Sequence, residues 1–279
     1  MDNMIKADKF YIDNLNLIAL NGCSDENPRA FYKDGTPAHS KFITQVFEKY
    51  DLNKGEFPIT TLRNTAIKIG ISEILWIYQK QTSSLDIAIK MGINWWGDWD
   101  IGDGTVGQRY GATVKKYDLL NKLLKNLKED PFSRRHIMNL YQYSDLNQTE
   151  GLFPCAFETL WSVRKVDNAF FLDLTLNQRS NDYVMAGYIN KIQYVALQMM
   201  IASHLGYKIG NFCHLVQNLH IYDRHFDGVR EILNRTPLSV QPKIELNEQK
   251  SFYDFTVEDF KISNIDNIKK LSNNLELAI

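Results

Sequence analysis

The sequence predicts an α+β domain in which a mixed, mainly antiparallel sheet packs with helices. Three observations predict it. From Arg135 onward hydrophobicity recurs every second residue in "HIMNLYQY", "CAFETLWSVRK" and "FFLDLTLNQRS", the last two joined by the turn "VDNA". Helical spacing governs "TTLRNTAIKIGISEILWIYQKQ" and "YINKIQYVALQMMIASHLG". Strands and helices do not alternate strictly, which argues against a doubly wound parallel sheet.

Taken in order, Thr60 to Gln81 is expected to form a buried helix through Leu62, Ala66, Ile67, Ile74 and Leu75, interrupted by Gly70. In "KKYDLLNKLLKNLKEDP" leucines at 119, 120, 123, 124 and 127 stand among lysines, giving an amphipathic surface helix that Asp130-Pro131 ends. The period-two segments follow as neighbouring antiparallel strands. Tyr188 to Gly206 is apolar on most faces and capped by glycine, so a central helix is expected. "HIYDRHFDGVREILNRTP" reads as a short helix stopped before Pro237, and "KIELN" and "YDFTVEDFKIS" as further strands. No linker, repeat or low-complexity tract divides the chain, so residues 1–279 are expected to form one domain; 44% hydrophobic content supplies ample core.

Composition excludes several function classes. Thirty-two basic and 33 acidic residues leave a net charge of -1, with no global footprint for nucleic acid or an anionic membrane. Cys23, Cys155 and Cys213 show no CxxC spacing, so neither a disulfide framework nor a zinc site is expected and a reducing cytoplasm is the natural setting. The opening "MDNMIKADKFYIDN" lacks a basic stretch followed by an apolar one, and no uncharged apolar run is long enough to span a bilayer. No GxGxxG, Walker loop or HExxH occurs.

The chemistry is to be sought in a few polar residues with unusual settings. Cys155 follows a proline at the head of a strand in "GLFPCAFETLW". A free cysteine is more often core than nucleophile, but a rigid strand start can edge a cleft, and a nearby cation would activate the thiol. "SRRH" sets Arg134 and Arg135 at a strand start, where a solvated edge is the plain alternative. "NQRSND" places Gln178, Arg179, Ser180 and Asp182 at a strand exit, either a polar turn or an anion site built on a planar arginine fork. Glu73 in "ISEILWI" is flanked by apolar residues; it is paired, on a polar stripe, or a proton-transfer group with a raised pKa. "NWWGDW" holds three of the five tryptophans and "HIYDRH" two of the six histidines, but aromatics are usually core and HxYxxH is no recognised metal set. Asn190 in "GYINKIQY" has the ordinary reading of a helix polar residue.

In order and along nearly the whole chain, "EILW", "WWGDW", "RYG", "DPFSRRH", "FPCAFETLW", "NQRSND", "HIYDRH", "FYDFTVEDF" and the terminal "LAI" resemble the thymidylate synthase family. The resemblance implies that Cys155 adds to C6 of the uracil of dUMP, so that C5 attacks the one-carbon unit of 5,10-methylenetetrahydrofolate, a consumed cosubstrate, with no metal. It implies that Arg179 contacts both the Cys155 thiolate and the phosphate, and that Ser180 and Arg29 join it on the phosphate together with Arg134 and Arg135 of a second subunit, making a homodimer necessary. Gln178 joins the substrate site, Asn190 pairs with O4 and N3 of the base, and His220 and Tyr222 hold the ribose hydroxyl. Glu73 and Tyr110 serve proton transfers, Trp96 and Trp99 line the folate site, Asp182 bonds the pterin, and Ala278 with Ile279 forms a C-terminal latch. The chain departs from the common family pattern at Gly97, at Ala186 to Ile189, and at Asn218, which stands where an aspartate is usual. A pyrimidine nucleotide hydroxymethylase of the same fold is the alternative within the enzyme class; a non-catalytic, RNA-contacting relative is the alternative outside it.

Overall fold

The computed structural model describes residues 4–246 and 249–279, and the chain opens with helix α1 (Lys6–Asn21) followed by a two-residue strand β1 (Cys23–Ser24) and the long strand β2 (Ser40–Asp51). Helix α2 (Ile67–Tyr78) starts seven residues later than its apolar spacing suggests. The cause is the buried Asp8 of α1, whose carboxylate receives Thr60 Oγ1 at 2.6 Å and the Thr61 N–H at 2.7 Å and so holds that stretch out of the helix. After α3 (Leu85–Lys90), the expected lysine-rich helix is two: α4 (Gly111–Tyr117) and α5 (Leu119–Glu129), broken at Asp118, whose φ of 51° is left-handed. Leu120, Leu123, Leu124 and Leu127 form the buried face of α5, as the leucine spacing requires.

Strand β3 (Ile137–Asn139) is shorter than "HIMNLYQY", because the chain turns into the single-turn helix α6 (Tyr143–Leu146). Strands β4 (Ala156–Val166) and β5 (Ala169–Gln178) form the expected hairpin over a turn with Asp167 at φ 52°. A short strand β6 (Asn181–Asp182) leads to α7 (Gly187–Leu205), which ends at Gly206 with φ 71°, a conformation glycine adopts without strain. Next comes β7 (Lys208–Tyr222), a 15-residue strand that takes up "HIY"; the helix expected there is only α8 (Phe226–Leu233), after a 3-10 turn at Asp223–His225. Strand β8 (Lys243–Leu246) pairs with β9 (Phe260–Ser263); Asn247 of the expected "KIELN" strand lies outside the described residues. The first part of "YDFTVEDFKIS" forms two 3-10 turns, the second closed by a Thr256–Asp259 capping box.

The main sheet has the order β1-β2-β7-β5-β4-β3, with β6 beside β7. Pairings of β7 with β5 and β6 are parallel and the others antiparallel, so this is an α+β fold with a mixed sheet. Helix α7 covers one face, where Leu172, Leu174, Leu176, Phe212 and Val216 are buried. Gln198 of α7 ties down that face by donating to Leu172 O at 2.8 Å and Asn211 O at 3.0 Å. Gly70 is where α2 crosses α7: a Cβ there would lie 3.3 Å from Ile189 Cγ2 and 3.6 Å from Gln193 Cγ. It allows close approach and does not break the helix. Among the described residues no helix is long and apolar enough to cross a membrane.

Candidate active site

Cys155 takes its place from the hairpin. Val166 pairs with Ala169 and Glu158 with Asn177, and an unbroken ladder would set Cys155 opposite Ser180. The register shift between Ala156 and Glu158 instead pairs Ala156 with Gln178, and the Arg179 N–H donates to Cys155 O at 2.9 Å. A bulge of this kind re-aims the side chains beyond it. Arg179 Nη2 consequently lies 3.5 Å from Cys155 Sγ, while Nε donates to Pro154 O at 3.0 Å and Nη2 to Phe153 O at 2.7 Å. The guanidinium thus braces the turn that carries the sulfur. Burial nevertheless pushes the Cys155 thiol above its ordinary range, and Arg179 and Arg29 offset that only in part. Within one chain, the thiol form dominates at neutral pH.

Behind the sulfur, a chain of amides is locked in one orientation. Gln178 Nε2 donates to the Ser180 carbonyl at 3.0 Å, and a carbonyl can only accept, so Gln178 Oε1 faces His214 Nε2 at 2.8 Å. That nitrogen must carry hydrogen. Burial, with Lys191 nearby, lowers the His214 pKa to about 3, so the ring is neutral. Gln178 Nε2 also donates to Asn190 Oδ1 at 3.0 Å, joined by Asn181 Nδ2 at 3.1 Å, and Asn190 Nδ2 donates to Gln193 Oε1 at 3.0 Å. A flipped Asn190 would set donor against donor at two contacts and acceptor against acceptor at the third.

Gln193 leads on to Glu73. That carboxylate is buried on α2 and receives Trp95 Nε1, with Gln193 close by. Burial outweighs these neighbours and raises its pKa to about 7, which suits a group that takes and returns a proton near neutrality. Tyr110 adjoins both Glu73 and Cys155, and burial lifts its phenol well above the usual tyrosine range. Its φ of 47° is left-handed, an uncommon state for an aromatic residue. The neighbours of Tyr110 enforce it: buried Arg109 donates to the carbonyls of Asp145 at 3.0 Å and Thr149 at 2.7 Å, and a Cβ on Gly111 would lie 2.3 Å from Thr82 O. Trp96 is buried with its ring 5.0 Å from Tyr110 and 5.3 Å from half-buried Trp99.

At the far end, His220 Nδ1 donates to Asn218 Oδ1 at 3.1 Å, so Asn218 orients the imidazole, and burial keeps its pKa low. Tyr222 packs 5.0 Å from it. Asp182 accepts the Met185 N–H at 3.0 Å; burial opposes its ionisation, but His225 draws the pKa below the usual carboxylate range. Ala278 and Tyr222 pack against the cluster of Ala30, Tyr32 and Ala38, and the Ile279 N–H donates to Phe31 O at 2.9 Å.

Most of the expected residues therefore gather from separate parts of the chain, while Arg29, Arg134 and Arg135 stand apart. Arg29 is exposed and reaches Cys155 only by its charge. Arg134 and Arg135, expected to serve the site of a second subunit, are exposed at the sheet edge before β3. Sequence reasoning missed His214, Gln193, Trp95 and Arg109. Gln193 was findable, since Asn190 and Gln193 are three apart on an expected helix and share a face. A cavity of about 820 Å³ beside β8 is lined by other residues, including Leu52, Met199 and Ile244. Among the described residues no group of three His, Cys, Asp or Glu is placed to hold a metal ion.

A family profile described as thymidylate synthase matches residues 9–277. A thymidylate synthase of Streptococcus pneumoniae is 50% identical over 270 residues, covering 95% of this chain and 97% of its own. One from Streptococcus gordonii has the same identity and coverage. The solved thermostable thymidylate synthase A from Bacillus subtilis aligns with a TM-score of 0.88 at 33% identity, over 98% of this chain and 99% of its own.

Proposed function

This chain belongs to the thymidylate synthase family, and on that premise we propose how its residues convert dUMP to dTMP. The activity is thymidylate synthesis; both Streptococcus relatives bear the name thymidylate synthase. The observation that carries the division of labour is Cys155 held 3.5 Å from Arg179 beside an Asn190 amide of fixed orientation. Cys155 Sγ adds to C6 of the uracil, and the displaced electron pair moves toward C5 and O4. Asn190 reads the O4 and N3 edge, with Gln178 holding it in register. Glu73 and Tyr110 handle the protons at O4 and C5, a role supported by the Glu73 pKa of about 7. Arg179, Ser180 and Arg29 bind the phosphate, and the Nδ1-protonated His220 leaves Nε2 to accept from the ribose hydroxyl, next to Tyr222.

Methylenetetrahydrofolate, when bound, supplies the one-carbon unit and then a hydride, and leaves as dihydrofolate. The residues fit it: the Asp182 side chain is 15% exposed and His225 Nδ1 stands 3.6 Å from its Oδ2, so an acceptor is on offer to the pterin. Trp96 and Trp99 would shield the reacting carbon from water, and Ala278 and Ile279 would close over it.

A homodimer completes the reading. Phe47 pairs with Leu215 and Ile137 with Leu160, and these four apolar side chains, 54%, 39%, 48% and 37% exposed, stand on the sheet face away from α7. Two copies joined by this face would carry Arg134 and Arg135, which immediately precede β3, toward the neighbouring site. Their charge would also favour the Cys155 thiolate that one chain alone does not. The free cysteines support a reducing cytoplasm as the setting.

Incubation with dUMP and methylenetetrahydrofolate, followed by mass measurement of the nucleotide, tests the function. The expected products are dTMP and dihydrofolate; 5-hydroxymethyl-dUMP with tetrahydrofolate would overturn the synthase reading.

A further inference from the structure

The 3-10 turn Asp223–His225, directly after β7, grips three separate parts of the chain. Asp223 Oδ1 receives the Tyr32 hydroxyl. Arg224 donates through Nη1 to Glu276 Oε2 at 2.7 Å and through Nη2 to Asp34 Oδ2 at 2.8 Å, with its guanidinium 4.0 Å from the Tyr32 ring centroid. His225 is fully buried, and its Nε2 donates to the Glu276 carbonyl at 2.7 Å. The other nitrogen, Nδ1, has no hydrogen-bond partner and faces Asp182 Oδ2 at 3.6 Å. Beyond Glu276, the N–H and C=O of Ile279 both pair with Phe31. One rigid ring therefore stands between the terminal segment and the carboxylate assigned to the pterin.

We propose that His225 is a positioning residue that couples seating of Glu276–Ile279 to cosubstrate binding at Asp182. This rests on the reading of Asp182 as a folate contact. A small approach of Asp182 toward Nδ1 would complete a charge-assisted bond, and the planar ring transmits that orientation to the bond at Glu276 O. Coupling of this kind is reciprocal: the seated segment fixes the imidazole, which fixes Asp182, and a bound pterin does the reverse. Burial disfavours the imidazolium, but Asp182 raises the His225 pKa above the ordinary value, in keeping with a ring that donates from both nitrogens. Glutamine at this position can reach one partner and not both.

The test compares His225→Gln in the full chain and in a chain lacking Ala278 and Ile279, reading the Kd of dihydrofolate in the presence of dTMP, a product pair that does not react. In the full chain the substitution is expected to weaken dihydrofolate binding roughly tenfold, with dTMP affinity unchanged; in the shortened chain it should have less than about a twofold effect. Equal weakening in both backgrounds would overturn the coupling and leave His225 as local support for Asp182. A second readout needs no folate: carboxypeptidase should release Ile279 faster from His225→Gln than from the parent, and equal rates would overturn the tether. Should the parent chain bind no dihydrofolate, the functional reading of Asp182 fails, and the carboxypeptidase rates alone decide the tether. His225→Asn replaces His225→Gln if the latter loses dTMP binding.

Discussion

Glu73 and His214 show opposite consequences of burial. For Glu73, burial raises the pKa to about 7, so both protonation states are within reach near neutral pH. Glu73→Gln should lower kcat by about 10²- to 10⁴-fold and abolish the inflection near neutrality, as read from pH–rate profiles. His214, lowered to about 3, is neutral in the fold but protonates near 6.5 when unfolded. Between those values the unfolded chain binds the extra proton, so the contribution of His214 is full above about pH 6.5 and is lost as pH falls toward the folded value. His214→Asn should flatten the dependence of stability on pH in that window by up to about 1.4 kcal/mol per unit, measured by urea unfolding. Glu73 acts in the other direction there, favouring the fold below its unfolded pKa and ceasing to do so as pH passes 7, so the comparison must be made against the parent chain. At Cys155, alkylation by iodoacetamide should rise with pH as the thiolate forms, and Arg179→Ala should slow it at fixed pH. An unchanged rate would remove Arg179 as the activating cation.

At the scale of elements, the active site depends on close approaches of backbone as much as on side chains. Gly111 opens α4 against Thr82, where a methyl would lie 2.3 Å from a carbonyl oxygen and 2.5 Å from a backbone nitrogen. Backbone cannot yield as a flexible side chain can. Gly111→Ala should therefore cost at least about 1–3 kcal/mol in unfolding free energy, and activity should fall further than stability because Tyr110 is the preceding residue. The hairpin bulge has a similar part: it brings Cys155 to Arg179 and not to Ser180. Glu48 fastens the back of the site, accepting from Lys191 Nζ and Tyr50 Oη at 2.6 Å, Tyr183 Oη at 3.0 Å and Asn14 Nδ2 at 3.1 Å. These donors come from α7, β2, the segment after β6, and α1. Removal of one partner would leave a buried charge uncompensated.

For the whole molecule the decisive quantity is the state of association. Leu215→Asp on the exposed sheet face should shift the protein toward monomer and reduce activity in parallel, read by light scattering and turnover. Mixed Arg134→Ala and Cys155→Ala subunits should recover part of the activity that each lacks alone, since one hybrid site would be whole; no recovery in verified mixed dimers would refute the shared site. The α+β class, the β4–β5 hairpin, α7 and the stretches that carry Cys155, Arg179, Asn190 and Glu73 are legible in the sequence, because local period and turn residues set those. The sequence did not disclose β7: the covered face of that strand carries His214 and His220, so hydrophobic alternation fails where the site is built. The folded chain alone reveals the register shift by which Arg179 meets the sulfur, the hold of His214, Gln178 and Gln193 on the Asn190 amide, and the contact of Trp95 with Glu73. Each of these follows from a register shift, a helix crossing at Gly70 or a burial-driven pKa, and such quantities arise between elements that are far apart along the chain.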